Sequence, residues 1–354
     1  MGLYVPKSGL AFRTDSKQID IGTVSFVSQS GGIAINLILR GQKQRLLFSK
    51  VISTGNGIDL TPADYIEFLA DDPETKVIGT YLENLGKTQE EGRKLFNAIN
   101  YASSKKPVIV WRGGRTAMGM KAAASHTGAL GSDNKIWDAV VKQTGIIDVK
   151  TFEELVDSLI AFQMVKEGYR PTGTGVGLVS VSGGVGVTNS DLLADVGLEV
   201  PRLTQETCDK ITKDNMVASV GVSPENPIDL GSSYFALSVV DKVIQHLVAD
   251  QNVNSVIIEV SNHYVYNAAL LSVPDYPKLF MEQILKTIKT ARKDYKEKPI
   301  FLAIPIIAYE QERLFDRDFF TSKNIPVFDS VENAGIALSN LRKYGSFKKK
   351  VQKN

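Results

Sequence analysis

Apolar, β-branched stretches alternate with amphipathic stretches along this chain. Four of the apolar stretches have the length and composition of buried strands: residues 22–27, 77–84, 175–181 and 255–262. Residues 33–39, shortly after the first strand, have the length and apolar character of a packed helix, and 189–194 are predicted as the helix that follows the third. This alternation predicts an α/β fold in which doubly wound parallel sheets are covered by helices.

The second half of the chain repeats motifs of the first half in the same order. A Ser-x-Ser-Gly-Gly turn occurs at residues 28–32 and again at 180–184. Three further pairs of similar segments follow: 56–60 with 226–230, 77–84 with 255–262, and 105–111 with 297–303. We interpret the order as an internal duplication of one parallel-sheet domain. The Gly/Pro/Thr-containing segment 167–174 separates the copies, which predicts domains at 1–170 and 171–354.

Composition narrows the classes of function. The 41 Lys and Arg residues nearly balance 39 Asp and Glu residues, so a nucleic-acid binder acting through a basic surface is not expected. The single cysteine, Cys208, excludes an intrachain disulfide or a cysteine cage for a metal and favours a reducing, cytoplasmic compartment. With three histidines, a histidine-rich metal site would need added carboxylates, so no resident metal is expected. No apolar run approaches the roughly 20 residues that cross a membrane.

Both Ser-Gly-Gly turns are candidate phosphate sites. Ligands of doubly wound sheets bind at the carboxyl ends of the strands, which is where these turns lie. Exposed N–H groups at a helix start, with glycines for close approach and serine hydroxyls as donors, suit an anion. The candidate residues are Ser28, Gln29, Ser30, Gly31, Gly32, Ser182, Gly183 and Gly184. A turn closed by glycines and capped by serine would explain each motif without a ligand.

The segment 112–133 has no counterpart in the second half. Its Gly, Ala, Ser and Thr content predicts a tight loop that approaches a ligand, with His126 accessible among small residues. Of the other histidines, His246 has the sequence context of a helix surface, and His263 follows a strand end, a weaker indication of a role. A loop histidine with no role at all remains an alternative for His126.

Neutral imidazole can attack phosphorus, and the transferred phosphoryl group then needs anion-binding N–H groups around it. The two turns would provide those groups. A nucleophilic histidine also needs an acceptor for its second ring nitrogen, and Glu83, at the end of the strand 77–84, is the best placed carboxylate. A solvated glutamate at a strand end fits the spacing equally well.

Five segments together resemble the ADP-forming acyl-CoA synthetases, relatives of succinyl-CoA synthetase. They are 28–32, 53–56, 71–78, 81–83 and, above all, Ser125-His126-Thr127-Gly128-Ala129-Leu130. The resemblance covers nearly the whole chain and implies two flavodoxin-like domains, a ligase-CoA domain with the phosphohistidine loop and a second ligase domain. It also implies that His126 carries phosphate transiently, that Glu83 orients it, and that both turns hold the phosphohistidine. Gly55 and Asn56 would lie near the acyl and phosphate site.

The same resemblance implies the reaction and the partners. Acyl-CoA, ADP and phosphate would be converted reversibly to acid, CoA and ATP, with Mg-bound nucleotide, phosphate and CoA as substrates and no permanently bound cofactor. Related complete enzymes also contain a CoA-binding domain and an ATP-grasp domain pair, which this sequence lacks. We therefore expect either a fragment of a longer protein or one subunit of a split, oligomeric enzyme, acting on a small carboxylic acid.

Two other functions remain open from the sequence. A divergent acyl transferase could use the same segment without nucleotide. Alternatively, a binding or regulatory module could keep the fold and the anion sites without performing any chemistry.

Overall fold

A computed structural model describes residues 2–11, 20–86, 88–127, 134–180, 182–214, 223–271 and 273–351. The side chains of 123–127, 232 and 269–271 lie outside this description. The chain packs as two compact units. Unit 1 is Met1–Gln163 with Ser346–Asn354, and unit 2 is Met164–Gly345. The domain boundary predicted at 170/171 stays a prediction, but by its packing the C-terminal segment 346–354 groups with unit 1 rather than with unit 2.

Unit 1 contains a mainly parallel sheet with the strand order β1-β3-β2-β4-β5-β6 among its described residues. The strands are β1 (Leu3–Tyr4), β2 (Val24–Ser28), β3 (Phe48–Ser53), β4 (Val77–Leu82), β5 (Val108–Arg112) and β6 (Ile147–Val149). The helices are α1 (Gly31–Gln44), α2 (Pro62–Asp71), α3 (Gln89–Lys105), α4 (Ala117–Thr127), α5 (Asn134–Thr144) and α6 (Phe152–Met164). Only β1 pairs in antiparallel fashion, with β3.

Unit 2 contains a parallel sheet with the order β11-β10-β9-β7-β8. Its strands are β7 (Val176–Ser180), β8 (Ile228–Asp229), β9 (Ser255–Glu259), β10 (Ile300–Ala303) and β11 (Val327–Phe328). Its helices are α7 (Gly183–Asp195), α8 (Gln205–Asp214), α9 (Leu237–Ala249), α10 (Asn262–Leu271), α11 (Tyr276–Asp294), α12 (Glu310–Thr321) and α13 (Val331–Val351), the last of which ends in the segment assigned to unit 1. The predicted α/β class with two parallel-sheet domains is confirmed.

Central strands are buried on both faces, as parallel sheets covered by helices require. Every residue of β2, β7 and β9 is buried. Val27, Ile78 and Val110 pack with α2 and α3 in unit 1, and Val179, Ile258 and Leu302 take part in the core of unit 2. The apolar runs of the sequence therefore became strands because both of their faces exclude water.

The Lys-Pro pair before β5 and the one before β10 make the same contacts. Lys106 Nζ donates to the backbone oxygens of Leu69 and Asp72 at 2.7 and 2.6 Å. Lys298 Nζ donates to those of Val248 and Asp250, both at 2.8 Å. Lys106 thus satisfies carbonyls left open at the C-terminus of α2, and Lys298 satisfies those at the C-terminus of α9. The correspondence supports the duplication, which remains an interpretation.

One of the proposed sequence pairs is not equivalent in space. Residues 228–229 form β8, which pairs with β7 so that Ser180 lies opposite Asp229. In unit 1 the corresponding partner of Ser28 is Ser53 on β3, whereas residues 56–60 follow that strand. The similar segments 56–60 and 226–230 therefore do not occupy equivalent positions in their sheets.

No helix in the described part of the chain is long and apolar enough to cross a membrane.

Candidate active site

The first Ser-Gly-Gly turn joins β2 to α1 at the carboxyl edge of its sheet. Ser28 Oγ donates to the backbone oxygen of Ser30 at 2.7 Å and accepts from the Ser30 N–H at 3.1 Å. Ser30 has extended backbone angles and caps the helix, since its Oγ accepts from the N–H of Ile33 at 3.4 Å. A Cβ on Gly32 would meet nothing closer than Ser30 Oγ at 3.9 Å. No described residue therefore blocks this helix start to a ligand.

The strand order places this turn at a position suited to ligand binding. The chain passes from β2 to β3 on one side and then returns to β4 on the other, so β2 and β4 flank the topological switch point of the sheet. Gln29 spans that point. Its N–H donates to the oxygen of Tyr81 at 3.2 Å, and its Oε1 accepts from the N–H of Glu83 at 2.6 Å. Gln29 thus fixes the position of Glu83 beside the turn.

Glu83 lies directly after β4, on the same strand face as Tyr81. Burial, the charge of Glu83 and its hydrogen bond together raise the pKa of Tyr81 to about 12. The Tyr81 ring packs on Trp111 with the ring centroids 5.0 Å apart. A Cβ on Gly113 would come within 2.8 Å of the Tyr81 hydroxyl, so a larger residue here would displace that hydroxyl. The phenol and the carboxylate are therefore held as a pair.

The segment that carries His126 is not the loop predicted from its sequence. Residues 117–127 form helix α4, and 128–133 lie outside the described residues. Thr116 Oγ1 accepts from the N–H of Gly119 at 3.1 Å at the helix start. Alanine has the highest helix propensity, and the alanines of this segment outweigh its glycine and serine content. His126 lies one residue before the end of α4, and its side chain is outside the description, so its contact with Glu83 stays a prediction.

A small cavity opens between the carboxyl ends of β2, β3 and β4. Its volume is about 40 Å³, and it is lined by two predicted site residues, Gln29 and Asn56. Asn84, which was not among the predicted site residues, lines it as well. Gly55 has a φ of 57°, in the left-handed region, which turns the chain at the edge of this site. Asn84 lies just after the end of β4, and this position at the carboxyl end of a strand was the signal in the sequence that could have identified it.

The second Ser-Gly-Gly turn joins β7 to α7 in unit 2. Ser180 Oγ lies 3.4 Å from the oxygen of Ser182 and 3.5 Å from its nitrogen, a looser version of the contacts of Ser28. Ser182 is extended and precedes the helix, and a Cβ on Gly184 would meet nothing within 4 Å. Val181 lies outside the described residues. Like the first turn, this one leaves its helix start accessible to an anion.

Two carboxylates flank the second turn, and neither was among the predicted site residues. Glu259 Oε2 accepts from Ser180 Oγ at 2.9 Å and from Asn189 Nδ2 at 3.2 Å. Burial raises the pKa of Glu259, and the two hydrogen bonds oppose that rise. Asp229, on the other neighbouring strand, has its Oδ2 3.1 Å from where a Cβ on Gly183 would lie. The predicted equivalence of segments 77–84 and 255–262 makes Glu259 the counterpart of Tyr81. Since Tyr81 lies opposite Ser28 in the sheet, that equivalence could have placed Glu259 beside Ser180.

The remaining two histidines lie on helices of unit 2 and belong to neither turn. His246 is on α9, and its Nε2 lies 2.7 Å from Asp214 Oδ2. His263 belongs to the start of α10, where its ring centroid lies 4.0 Å from that of Tyr264. The helix placement predicted for His246 is confirmed, and His263 is the second residue of α10, which begins three residues after β9 ends.

Comparisons with known proteins show what this chain is similar to. Residues 21–162 match the family described as succinyl-CoA ligase like flavodoxin domain. The alpha subunit of acetate–CoA ligase [ADP-forming] II from Pyrococcus furiosus is 29% identical over 325 residues, which cover 89% of this chain and 64% of that protein. Acetate–CoA ligase [ADP-forming] II from Archaeoglobus fulgidus is 30% identical over 343 residues, or 94% of this chain and 45% of that protein.

A solved structure agrees with these relatives. The dinucleotide forming acetyl-coenzyme A synthetase 1 of Ca. Korarchaeum cryptofilum, in complex with phosphate and ADP, superposes with a TM-score of 0.78 at 27% identity. The match covers 95% of this chain and 67% of that one. The present chain therefore spans between about half and two thirds of these proteins. The resemblance seen in the sequence is confirmed: the chain contains a succinyl-CoA ligase-like flavodoxin domain and is similar over most of its length to ADP-forming acetate–CoA ligases.

Proposed function

We propose that this chain is the phosphohistidine part of an ADP-forming acyl-CoA synthetase, with His126 as the phosphoryl carrier. In the direction of ATP formation, a phosphate oxygen attacks the thioester carbonyl, the C–S bond breaks, and acyl phosphate and CoA form. A ring nitrogen of His126 then attacks phosphorus and the carboxylate leaves. Finally, a β-phosphate oxygen of ADP attacks phosphorus, the P–N bond breaks, and ATP and neutral imidazole are released.

The observation that carries this proposal is the pair of Ser-Gly-Gly turns with open helix starts. A phosphoryl group brings negative charge, and the N–H groups and dipole of a helix N-terminus stabilise it. In unit 1 that turn lies at the switch point of a doubly wound sheet, where ligands bind. Ser28 and Ser180 take the same place in the two turns, although the contacts of Ser180 with Ser182 are longer. Two anion sites built on related turns suit a group that is transferred.

Glu83 is proposed as the positioning residue for His126. A histidine that attacks through one nitrogen is oriented by an acceptor at the other. The Gln29 amide oxygen fixes the backbone of Glu83, and Tyr81 restrains its carboxylate. Gly55 and Asn56 are proposed for the acyl and phosphate end, beside the cavity of about 40 Å³. A space of that size holds only a few water-sized groups, which favours a small carboxylic acid.

The proposal requires partners. An ATP-grasp subunit or domain would bind Mg-nucleotide, and a CoA-binding domain would bind most of CoA, since the chain spans only part of its relatives. We propose an oligomeric assembly with those parts. The single cysteine, Cys208, is consistent with a cytoplasmic location.

The direct test is phosphorylation of His126. The chain would be assembled with the ATP-grasp partner from the same organism and incubated with Mg²⁺ and γ-³²P-ATP. In a second reaction the chain alone would receive ³²P-labelled acetyl phosphate. We expect label that is labile to acid and stable to base, as phosphohistidine is, on the wild-type chain but not on His126→Asn. His246→Asn is the matched control, because it removes a histidine that the proposal does not use, and it should keep the label.

Three outcomes would contradict the proposal. Label retained on His126→Asn would place the carrier elsewhere. Acyl exchange between CoA thioesters without any label would favour the acyl transferase. Phosphate binding without label from either donor would favour a binding module.

A further inference from the structure

A second cavity lies at the opposite edge of the unit 2 sheet from the Ser-Gly-Gly turn. Its volume is about 310 Å³, and every residue that lines it belongs to unit 2. Pro299, immediately before β10, forms part of its wall, whereas the turn follows the carboxyl end of β7. Because β7, β9 and β10 run parallel, the cavity lies at their amino ends. It is therefore separate from the proposed phosphoryl-transfer site.

Four cationic side chains line this cavity: Lys166, Arg292, Lys296 and Lys298. We call the cavity the cationic pocket. No carboxylate is among its lining residues, and among the described residues none of the four cations lies within ion-pair distance of one. Glu167 and Glu297 are neighbours in sequence but do not line it. Four positive charges thus converge on one space, and the carboxylates close enough to act on the charge of Lys298, those of Glu297 and Asp250, do not line the pocket.

Two of these cations are fixed in place. Lys298 Nζ donates to the backbone oxygens of Val248 and Asp250, and Arg292 donates through one guanidinium nitrogen to the oxygen of Asn324 at 3.0 Å. A guanidinium has five N–H donors, so the Asn324 contact leaves others for a ligand. Burial lowers the pKa of Arg292 and of Lys298. A bound anion would offset that desolvation, as a paired charge does for a buried cation.

The other part of the wall is apolar. Met164, Val165 and Pro299 line the cavity together with the ring of Tyr169, which is half-buried. Cavities that hold small molecules typically span about 300–1,000 Å³ and combine apolar walls with a few converging polar groups. Phosphates are recognised by arginine and lysine, and flat bases stack on aromatic rings. The size, charge and lining together match a compact phosphorylated molecule.

We propose that the cationic pocket binds a diphosphate-bearing small molecule of nucleotide size, with Lys166, Arg292, Lys296 and Lys298 on the diphosphate and Tyr169 against the organic part. This site is independent of the proposed phosphoryl transfer, since it uses none of the same residues. The shared chemistry is the diphosphate, which ADP and inorganic pyrophosphate both supply.

Calorimetric titration of the purified chain tests the site, with ADP, pyrophosphate and adenosine as separate probes. We expect one molecule of ADP or pyrophosphate to bind per chain and adenosine to bind far more weakly. Tighter binding of ADP than of pyrophosphate, reduced by Tyr169→Leu, would assign the ligand as a nucleotide. Equal binding would assign it as a free polyphosphate anion. Either result supports a diphosphate site.

The site is located by Lys166→Gln combined with Lys296→Gln. Both side chains are exposed, so the fold should be unaffected, and binding of ADP and pyrophosphate should weaken about tenfold or more. Lys286→Gln with Lys289→Gln is the matched control: it removes the same charge from exposed positions of α11 outside the pocket lining. The control should leave binding almost unchanged. Absence of binding to either diphosphate, equal binding by the pocket variant, or an equal loss in the control would overturn the proposal.

Discussion

The two Ser-Gly-Gly turns begin from equivalent serines, but the residues beside those serines differ in charge. In unit 1 the neighbours of Ser28 on the adjacent strands are Ser53 and Tyr81. In unit 2 the neighbours of Ser180 are Asp229 and Glu259. The serine of the first turn therefore has two uncharged strand neighbours, with the carboxylate of Glu83 one step further on beside Tyr81, whereas the serine of the second turn has two carboxylates as its direct strand neighbours.

This difference shows that the turn motif alone does not determine anion affinity. The helix start attracts negative charge, whereas a carboxylate a few ångströms away repels it. The first turn should therefore hold a phosphoryl group more tightly than the second. Two sites of unequal phosphoryl affinity suit a phosphoryl group that has to be released as well as bound. Protonation of Glu259 would remove one negative charge beside the second turn and so reduce the difference in affinity.

The largest expected effect is on stability. Glu259→Ala removes the acceptor of both Ser180 Oγ and Asn189 Nδ2 in a buried site, so two donors lose their partner. We expect the free energy of unfolding to fall by about 3 kcal/mol. Tyr81→Phe, at the equivalent position of unit 1, removes one hydroxyl and should cost about 1 kcal/mol. Urea denaturation of both variants measures the difference, and an equal cost would show that the Glu259 network adds no stability of its own.

A smaller effect is expected on phosphate affinity at the second turn. Asp229→Asn combined with Glu259→Gln keeps the shapes of both side chains and removes their charge. Phosphate binding at the second turn should strengthen about tenfold, because like-charge repulsion at this range costs about 1–2 kcal/mol. Phosphorus NMR titration measures it, with Asp318→Asn, an exposed carboxylate on α12, as the control. Unchanged affinity would remove the proposed inequality between the turns.

The smallest expected effect is the pH dependence of stability, which should have opposite signs at Glu259 and at Asp64 of unit 1. Burial raises the pKa of Glu259, so its contribution is complete below the ordinary carboxyl pKa and is lost as pH rises through the raised value. At Asp64 burial acts the same way, but hydrogen bonds from Lys94 and Thr61 prevail and lower the pKa to about 2. Its contribution is therefore lost as pH falls from about 4 towards 2.

Denaturation between pH 2 and pH 8 tests both signs. Glu259→Gln should flatten the loss of stability above the ordinary carboxyl pKa, and Asp64→Asn should flatten the loss at low pH. Profiles parallel to the wild type in both variants would contradict these assignments.

Much of the fold could be predicted because its signals are local. The strand at 24–28 was visible as an apolar β-branched run, and the turn at 28–32 as a serine and glycine cluster. Helix α4 was missed because glycine and serine were weighted above the alanines between them. The register error at 56–60 arose because a short motif does not specify which residues pair across a sheet.

The parts of the sites that the sequence did not reveal depend on distant residues. Glu259 acts on Ser180 from 79 positions away, and its burial requires both strands and α7 to be in place. Lys166 and Lys296 share the cationic pocket only after unit 2 has folded. Hydrogen-bond partners and charge convergence of this kind are properties of packing rather than of sequence neighbourhood.

By itself the sequence determined the alternation of strands and helices, the two Ser-Gly-Gly turns and the family resemblance. Hydrophobic periodicity and turn chemistry depend on residues that are close in sequence, and the resemblance depends on the order of motifs along the chain. Only the tertiary structure decided which residues flank each turn, that Glu259 is buried, that 346–354 group with unit 1, and where the four cations of the cationic pocket converge. Those features follow from strand register and burial, which depend on contacts between residues far apart in the chain.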